Sequence, residues 1–291
     1  MVAIAQIPPS TTTAEPVHAT LTLSNEELLH YSTYGPATAA KTFVLLHGAP
    51  GAYTDFKYLS PLLVTEPDTN AIVFDLPGSG RTSMDTAGGL ASFNSTGIAE
   101  AVIDAWPRLS LSRAFLIGHS MGGQTALLVA ASSAVAPTLC GLALLNPAGF
   151  GPHHVSRPLF LAKIWACALR FLGDGDHFLQ RWTHSFYLNT LRFPKTTLPS
   201  SCVAAILHVS SPDYARIESS ARVIQSRGLS TFMALASDDR IVEVAIGHEV
   251  ADVLKPSVLK EYPTGGHNIQ KTQAADLGLS ILAWSNHDGK L

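Results

Sequence analysis

The chain has 291 residues, of which 46% are hydrophobic and 14% are charged, and its formal net charge is -3. This composition supplies a large buried core and little charge for extended solvated surface, so it predicts a globular protein. No long run of Lys and Arg is present, which excludes the electrostatic footprint of a nucleic-acid-binding protein and favours a small-molecule partner.

The N-terminal residues 1–16 have no Lys or Arg and contain three prolines and a Thr run. They lack the basic start of a signal peptide and the Arg-rich face of a transit peptide. We therefore predict a flexible tail over residues 1–16.

The next segments alternate between strand and helix patterns. Two alternating stretches, 18–23 and 28–34, flank a turn-forming cluster and predict an entry hairpin. Short apolar runs bounded by Gly, Pro or Asp then predict strands buried on both faces. These runs are 42–46, 71–74, 114–117, 142–145, 231–235 and 258–262, and the helical patterns are 95–109, 121–133, 246–254 and 272–284. The alternation predicts an α/β fold with a mostly parallel, doubly wound sheet.

The alternation stops between residues 151 and 228, in a stretch rich in aromatic residues, His and Arg. It contains helical patches and no clear buried strand. We predict that residues 151–228 are a helical cap inserted into a core formed by 17–150 and 229–291, on the edge where such sheets bind ligands. The apolar stretch 158–172 includes Lys163 and Arg170, so it is too short and too charged to span a bilayer.

The strongest chemical signal is Gly118-His119-Ser120-Met121-Gly122, directly after an apolar run and before a helical pattern. In this strand–turn–helix context, small residues allow a sharp turn that exposes the Ser hydroxyl at the top of the sheet. The alternative is a Gly-rich turn with an idle Ser. We predict that Ser120 is a nucleophile at a helix N-terminus, where the helix dipole favours developing negative charge.

A second motif, residues 47–51 (HGAPG), ends an earlier apolar strand. Acyl transfer needs two N–H donors for the oxyanion, one after the nucleophile and one from such a loop. The backbone N–H groups of Met121 and Ala49 are the predicted donors. His47 is interpreted as structural rather than catalytic.

A serine nucleophile needs an imidazole base and an acid that orients it. Among 12 histidines, His267 follows the last apolar strand within Gly265-Gly266-His267-Asn268, on the same edge as Ser120. The acid is expected in residues 236–242 (ASDDRIV), where Asp238 and Asp239 follow the end of a strand. The order Ser, Asp, His is the one expected for this fold.

Five motifs in this order resemble the α/β-hydrolase superfamily: HGAPG at 47–51, DLPGSG at 75–80, GHSMGG at 118–123, ASDDRIV at 236–242 and GGHN at 265–268. The resemblance covers most of the chain outside the tail and the predicted cap. The family's acid motif, G-x-x-D-x-x-V, implies Asp239 rather than Asp238, although Ala236 stands where Gly is common. Some relatives carry the acid one strand earlier, but that position is Asn146 here. Asp75 matches the family's structural turn residue.

The resemblance implies a carboxylic-ester hydrolase with the catalytic triad Ser120, His267 and Asp239, acting on an apolar ester without metal or organic cofactor. Proline-iminopeptidase-like, monoacylglycerol-lipase-like and carbon-carbon bond hydrolases remain as alternatives. Epoxide hydrolases and haloalkane dehalogenases need Asp at the elbow, so Ser120 opposes both. A ligand sensor on the same fold is the non-enzymatic alternative.

Two further expectations concern the surroundings of the site and the cell compartment. Apolar cap residues are expected to line the pocket, and the candidates are Leu159, Phe160, Trp165, Phe186 and Tyr187. Cys140, Cys167 and Cys202 form no CxxC pair or metal-ligand pattern, which favours a reduced, cytoplasmic protein. The final residues 289–291 resemble a peroxisomal tripeptide with Gly in place of Ser, so a peroxisomal location is the minor alternative.

Overall fold

A computed structural model describes residues 15–172 and 177–287. Its strands are β1 Val17–Thr22, β2 Leu28–Tyr34, β3 Lys41–Leu46, β4 Thr69–Phe74, β5 Arg113–His119, β6 Leu139–Leu145, β7 Ser230–Ala236 and β8 Val258–Tyr262. Its helices are α1 Ser60–Leu63, α2 Gly89–Ser92, α3 Ser95–Ala105, α4 Met121–Ala131, α5 Leu159–Leu172, α6 His177–Asn189, α7 Pro199–Ser210, α8 Tyr214–Ser226, α9 Val244–Leu254, α10 Ile269–Thr272 and α11 Ala274–His287. The predicted tail, up to residue 14, and the C-terminal tripeptide lie outside the described residues.

The strands form one eight-stranded sheet in the order β1-β2-β4-β3-β5-β6-β7-β8. β1 pairs antiparallel with β2, and β2 pairs antiparallel with β4, while the other five pairings are parallel. Every residue of β3 and β4 is buried, as expected for parallel strands covered on both faces. The predicted fold class, a mostly parallel α/β sheet flanked by helices, is confirmed.

Two apolar cores cover the two faces of the sheet. One core contains residues of α3, α4, α8 and α9, and the other contains residues of α1 and α11. α4 is buried along almost its whole length, because it follows the central strand β5 and packs under neighbouring helices. The sharp turn between β5 and α4 lies in this buried centre.

The third helix ends earlier than the predicted range 95–109. α3 stops at Ala105, and residues Trp106–Leu109 form a single 3₁₀ turn. Pro107 lies at the start of that turn, and because proline has no N–H it cannot donate the next hydrogen bond of the α-helix. The α-helical prediction was therefore four residues too long.

Four helices, α5 to α8, lie between β6 and β7. α7 contacts both α5 and α6, whereas α8 contacts α4 and α9. Because β6 and β7 are parallel neighbours, they need a crossover helix on a sheet face, and α8 occupies that position. We propose that the cap comprises residues 151–211 and that α8 belongs to the core, which moves the expected boundary at residue 228.

Hydrogen bonds connect α5 and the end of α7 to residues 93–95 of the core. The Ser95 hydroxyl donates to the His208 carbonyl oxygen at 3.2 Å, and the Ser95 N–H donates to Ser211 Oγ at 3.0 Å. A guanidinium N–H of Arg170 donates to the Phe93 carbonyl oxygen at 2.8 Å. Within the two described stretches, no helix is long and apolar enough to cross a membrane.

Candidate active site

Ser120 occupies the turn between β5 and α4. Its backbone has φ 55° and ψ -124°, a conformation that L residues rarely adopt and that the surrounding structure must hold in place. Gly122 permits the turn, because a Cβ there would lie 2.3 Å from the Leu46 carbonyl oxygen at the end of β3. A sharp turn therefore joins β5 to α4 at Ser120, and a glycine at position 122 allows the close approach to the end of β3.

The structure brings Ser120, His267 and Asp239 together. Ser120 Oγ lies 2.8 Å from His267 Nε2, and His267 Nδ1 lies 2.7 Å from Asp239 Oδ2. With a carboxylate at Nδ1, the neutral imidazole carries its proton on Nδ1, so Nε2 is free to accept from the serine hydroxyl. The three residues that were singled out from separate motifs therefore form one hydrogen-bonded chain.

Asp239 is fixed by its own loop. Its side chain is 1% exposed, and Oδ1 accepts hydrogen bonds from the N–H groups of Ile241 at 2.8 Å and Val242 at 3.1 Å. The other oxygen, Oδ2, is left for His267. Within residues 236–242 it is therefore Asp239 that contacts the imidazole, while Asp238 has another partner.

Asp238 has a different partner in the same loop. Its Oδ1 accepts from the Gly266 N–H at 2.7 Å, and this backbone hydrogen bond is the main reason that the pKa of Asp238 is lowered. The neighbouring carboxylate thus holds the backbone just before His267. Sequence reasoning treated it only as an alternative acid.

Asn146, at the end of β6, connects the acid loop with the base loop. Its Nδ2 donates to the carbonyl oxygens of Gly266 at 2.9 Å and His267 at 3.0 Å, and its Oδ1 accepts from the Ala236 N–H at 2.8 Å. The side chain is buried. Sequence reasoning noted this position only as lacking an acid. A polar side chain at the end of a buried strand was the signal that could have identified it.

His119 supports the base from the other side. Its Nε2 lies 2.9 Å from the His267 carbonyl oxygen, and its Nδ1 lies 3.4 Å from Gln270 Nε2. Burial, with a smaller contribution from nearby His267, lowers the pKa of His119 to about 3. A neutral imidazole can donate from Nε2 and accept at Nδ1, which fits both partners.

The loop after β3 lies directly against the nucleophile. A Cβ on Gly48 would lie 3.0 Å from Ser120 Cβ, so only glycine fits without displacement. The Leu76 N–H donates to His47 Nε2 at 3.0 Å, which leaves the proton on Nδ1 to donate to the Gly48 carbonyl oxygen at 2.7 Å. In a trans peptide the carbonyl and the following N–H point in opposite directions. His47 therefore aims the Ala49 N–H away from its own ring.

Both predicted oxyanion donors have N–H groups available. In the described parts of the chain, no acceptor bonds the Ala49 N–H. Met121 is the first residue of α4, where N–H groups have no intrahelical partner. Acyl transfer requires two such donors directed at one oxygen position beside the nucleophile.

A small cavity of about 10 Å³, room for one water molecule, lies behind the loop after β3. It is lined by Gly48 and Ala49 on the core side and by Ala204, Ala205 and His208 of α7. His208 Nε2 is buried and has no partner among the residues described, and burial lowers the pKa of His208 to about 3. The lining of the cavity shows that α7 packs onto the loop after β3.

The five apolar candidates from the cap are in different environments. Phe160 is 59% exposed, Tyr187 is buried against Phe186 and Phe193, and Trp165 contacts the Trp182 ring. None of them lines the cavity beside the loop after β3, where α7 supplies the contacts. Sequence reasoning missed α7 because its apolar residues show no clear periodicity.

The site holds no metal-ligand cluster within residues 15–172 and 177–287. No group of three or more His, Cys, Asp or Glu side chains there could hold a metal ion. His153 is buried near His267 and Asp239, and burial lowers its pKa to about 4. The chemistry available at this site is that of a hydroxyl, an imidazole, a carboxylate and backbone donors.

The chain is similar in sequence to proteins that are named as hydrolases and lipases. The chain is 25% identical over 273 residues to the putative carbamate hydrolase RutD of Variovorax paradoxus, covering 87% of this chain and 94% of that protein. It is 26% identical over 151 residues to the sn-1-specific diacylglycerol lipase ABHD11 of Xenopus tropicalis, covering 50% of this chain and 44% of that protein.

Solved structures of similar fold include hydrolases of several kinds. Haloalkane dehalogenase DbeA from Bradyrhizobium elkani superimposes with a TM-score of 0.70 at 17% identity, covering 94% of this chain and 99% of that chain. The esterase EaEST from Exiguobacterium antarcticum superimposes with a TM-score of 0.69 at 14% identity, covering 92% and 98%. At these identities the likeness concerns the fold alone.

The sequence profile of a family described as "Alpha/beta hydrolase of unknown function (DUF1057)" matches residues 30–272. This range spans the sheet from β2 to α10, including all residues of the hydrogen-bonded chain at Ser120. The protein therefore belongs to this α/β-hydrolase family.

Proposed function

We propose that the protein is a carboxylic-ester hydrolase that works through an acyl-enzyme on Ser120. The observation that carries this proposal is the continuous chain of hydrogen bonds from Asp239 through His267 to Ser120, with lengths of 2.7 and 2.8 Å. Members of the family are hydrolases, and their substrates are small molecules. Ester hydrolysis and the roles of these residues are our inference.

In the acylation step, Ser120 Oγ attacks the ester carbonyl carbon while its proton moves to His267 Nε2. The charge that develops on the carbonyl oxygen is stabilised by the N–H groups of Ala49 and Met121. The buried Asp239 stabilises the imidazolium and keeps its proton on Nδ1. The carbon–oxygen bond of the ester then breaks, and the leaving alkoxide takes the proton from His267 Nε2.

In the deacylation step, His267 Nε2 removes a proton from a water molecule that attacks the acyl carbon. The same two N–H groups stabilise the second oxyanion. The bond to Ser120 Oγ breaks, and Oγ recovers its proton from His267. The carboxylic acid leaves, and no group outside the chain is consumed except water.

An apolar ester is the favoured substrate class for two reasons. The surroundings of the oxyanion loop are largely apolar and include Leu76, Phe93, Ile98 and the α7 residues Ala204 and Ala205. The names of two relatives, a putative carbamate hydrolase and a diacylglycerol lipase, both describe cleavage at an acyl carbon bonded to oxygen or nitrogen. We also propose a reducing compartment, supported by the three free thiols.

Initial rates on p-nitrophenyl esters with acyl chains of two to twelve carbons, and on the matching anilides, test the proposal. We expect saturable ester turnover that is lost in His267→Gln, with much slower anilide cleavage. His154→Gln is the matched control, because His154 is exposed and outside the chain of hydrogen bonds. Ester binding without turnover would contradict the proposal and would favour a ligand sensor.

A further inference from the structure

The outer face of α5 is apolar and exposed in the described part of the chain. Phe160, Ile164, Cys167 and Phe171 are exposed and follow one another at spacings of four, three and four residues, which places them on one face of the helix. Phe160, Ile164 and Phe171 are 59%, 62% and 83% exposed. The opposite face of α5 carries the buried Ala166 and Leu169 and packs towards α7. α5 is therefore apolar on two faces: one packs towards α7, and the other is exposed within residues 15–172 and 177–287.

α6 extends this surface. Phe178 and Trp182, one turn apart, are 69% and 51% exposed. The ring centroids of Trp165 on α5 and Trp182 on α6 lie 4.3 Å apart, so the two helices are in contact beside their exposed faces. We call the set Phe160, Ile164, Phe171, Leu172, Phe178 and Trp182 the outer cap surface. Scattered exposed apolar residues are ordinary, but a contiguous group of large ones marks an interaction surface.

The charge of the cap differs in sign from that of the rest of the chain. Residues 151–211 contain six Lys and Arg against two Asp and Glu, a net charge of +4. The other 230 residues contain 13 Lys and Arg against 20 Asp and Glu, a net charge of -7. Lys163 on α5 and Arg181 on α6 are exposed next to Ile164 and Trp182, and neither has an ion-pair partner within the part of the chain described.

We propose that the outer cap surface docks the protein onto anionic lipid surfaces. Helices with Phe, Leu and Trp on one face and Lys or Arg beside it lie in the interface plane, where rings enter the acyl boundary and cations contact anionic headgroups. A second copy of the chain fits less well. In a two-fold dimer the same patch faces itself, so the positively charged caps of both copies would meet. The inference does not depend on ester hydrolysis.

Sedimentation of the full-length protein with vesicles tests the proposal. Vesicles of phosphatidylcholine with 30 mol % phosphatidylserine are compared with vesicles of phosphatidylcholine alone. We expect binding to the anionic vesicles, weaker binding to the neutral ones, and a decrease as salt is added. Removing one buried Phe from such a contact lowers affinity by roughly 10- to 100-fold, and removing one cation near the surface lowers it by roughly fivefold.

Three variants make the test specific. Phe171→Ser with Phe178→Ser should lose at least about tenfold in vesicle affinity, and Lys163→Gln with Arg181→Gln should lose the preference for anionic vesicles. Leu279→Ser is the matched control, because Leu279 is 68% exposed on α11, outside the cap. All four side chains changed in the test variants are exposed, so folding should be preserved, which circular dichroism checks.

Two results would overturn the proposal. One is vesicle binding that is absent, or that is equal in wild type and in Phe171→Ser with Phe178→Ser. The other is a wild-type dimer in analytical ultracentrifugation that this double variant dissociates while neither protein binds vesicles. That second result would assign the outer cap surface to another copy of the chain.

Discussion

Asp239 presents its two carboxylate oxygens to different partners. Oδ1 is held by the Ile241 and Val242 N–H groups, and Oδ2 faces His267 Nδ1. An amide at this position must keep its oxygen towards the two backbone donors. Its NH₂ group would then face Nδ1, which would force the imidazole proton onto Nε2 and block acceptance of the serine proton.

We therefore predict that Asp239→Asn lowers kcat for ester hydrolysis by about 10³- to 10⁴-fold, as the equivalent change does in a serine protease. Asp238→Asn is the matched control, because its amide oxygen can still accept from the Gly266 N–H, and it should lose less than about tenfold. Steady-state kinetics on one ester measure both. Equal losses, or a larger loss in Asp238→Asn, would mean that Asp239 does not orient the base.

At the scale of elements, the site depends on the ends of β3, β5, β6 and β7, which lie at one edge of the sheet. Asn146 at the end of β6 joins Ala236 at the end of β7 to the loop of His267. One buried side chain thus links the element that carries the acid with the loop that carries the base.

We predict that Asn146→Ala destabilises the protein by about 1–3 kcal/mol, because it leaves buried backbone groups without partners. It should also lower kcat more than it raises KM, since it displaces His267 rather than a substrate contact. Urea unfolding measures the change in the free energy of unfolding, and ester kinetics measure the changes in kcat and KM. Asn146→Asp keeps the acceptor for the Ala236 N–H but loses both donors, so an unchanged kcat in that variant would contradict the positioning role.

The sequence predicted the elements near the site better than those far from it. The strand–turn–helix motif at Ser120 and the glycines before His267 carry strong local constraints, so their elements could be located from residues alone. The cap could only be predicted as helical, because its helices pack through aromatic contacts such as Trp165 with Trp182 that leave no simple periodic pattern. Asn146 contacts Gly266, which is 120 residues away in the sequence, and Asp238 contacts the same glycine across 28 residues. Local sequence patterns carry no information about such distant contacts.

At the scale of the whole molecule, buried neutral histidines make stability depend on pH. Burial lowers the pKa of His119 and His208 to about 3 and that of His153 to about 4, from a value of 6.5 in the unfolded chain. Below pH 6.5 the unfolded chain therefore binds more protons than the folded one. The free energy of unfolding must fall as pH is lowered from 7 towards 4.

Each of these histidines should reduce the free energy of unfolding by about 2 kcal/mol between pH 7 and pH 5. We predict that His208→Gln makes the difference in unfolding free energy between pH 7 and pH 5 smaller by about 2 kcal/mol. Any effect of the substitution that is the same at both pH values cancels from this difference. Urea unfolding at the two pH values measures it, with exposed His154→Gln as control. The prediction fails if the two variants show the same pH difference as wild type.

The nucleophilic role of Ser120 is tested most directly by covalent labelling with a fluorophosphonate, followed by intact mass and peptide mapping. The wild-type protein should gain one adduct, on Ser120, and lose ester turnover in step with labelling. Ser120→Ala should remain folded, take up no label, and fall by several orders of magnitude in turnover, since only oxyanion stabilisation and binding remain, worth roughly 10³ to 10⁴ over water. A label on another residue, or near-normal turnover in folded Ser120→Ala, would contradict the account.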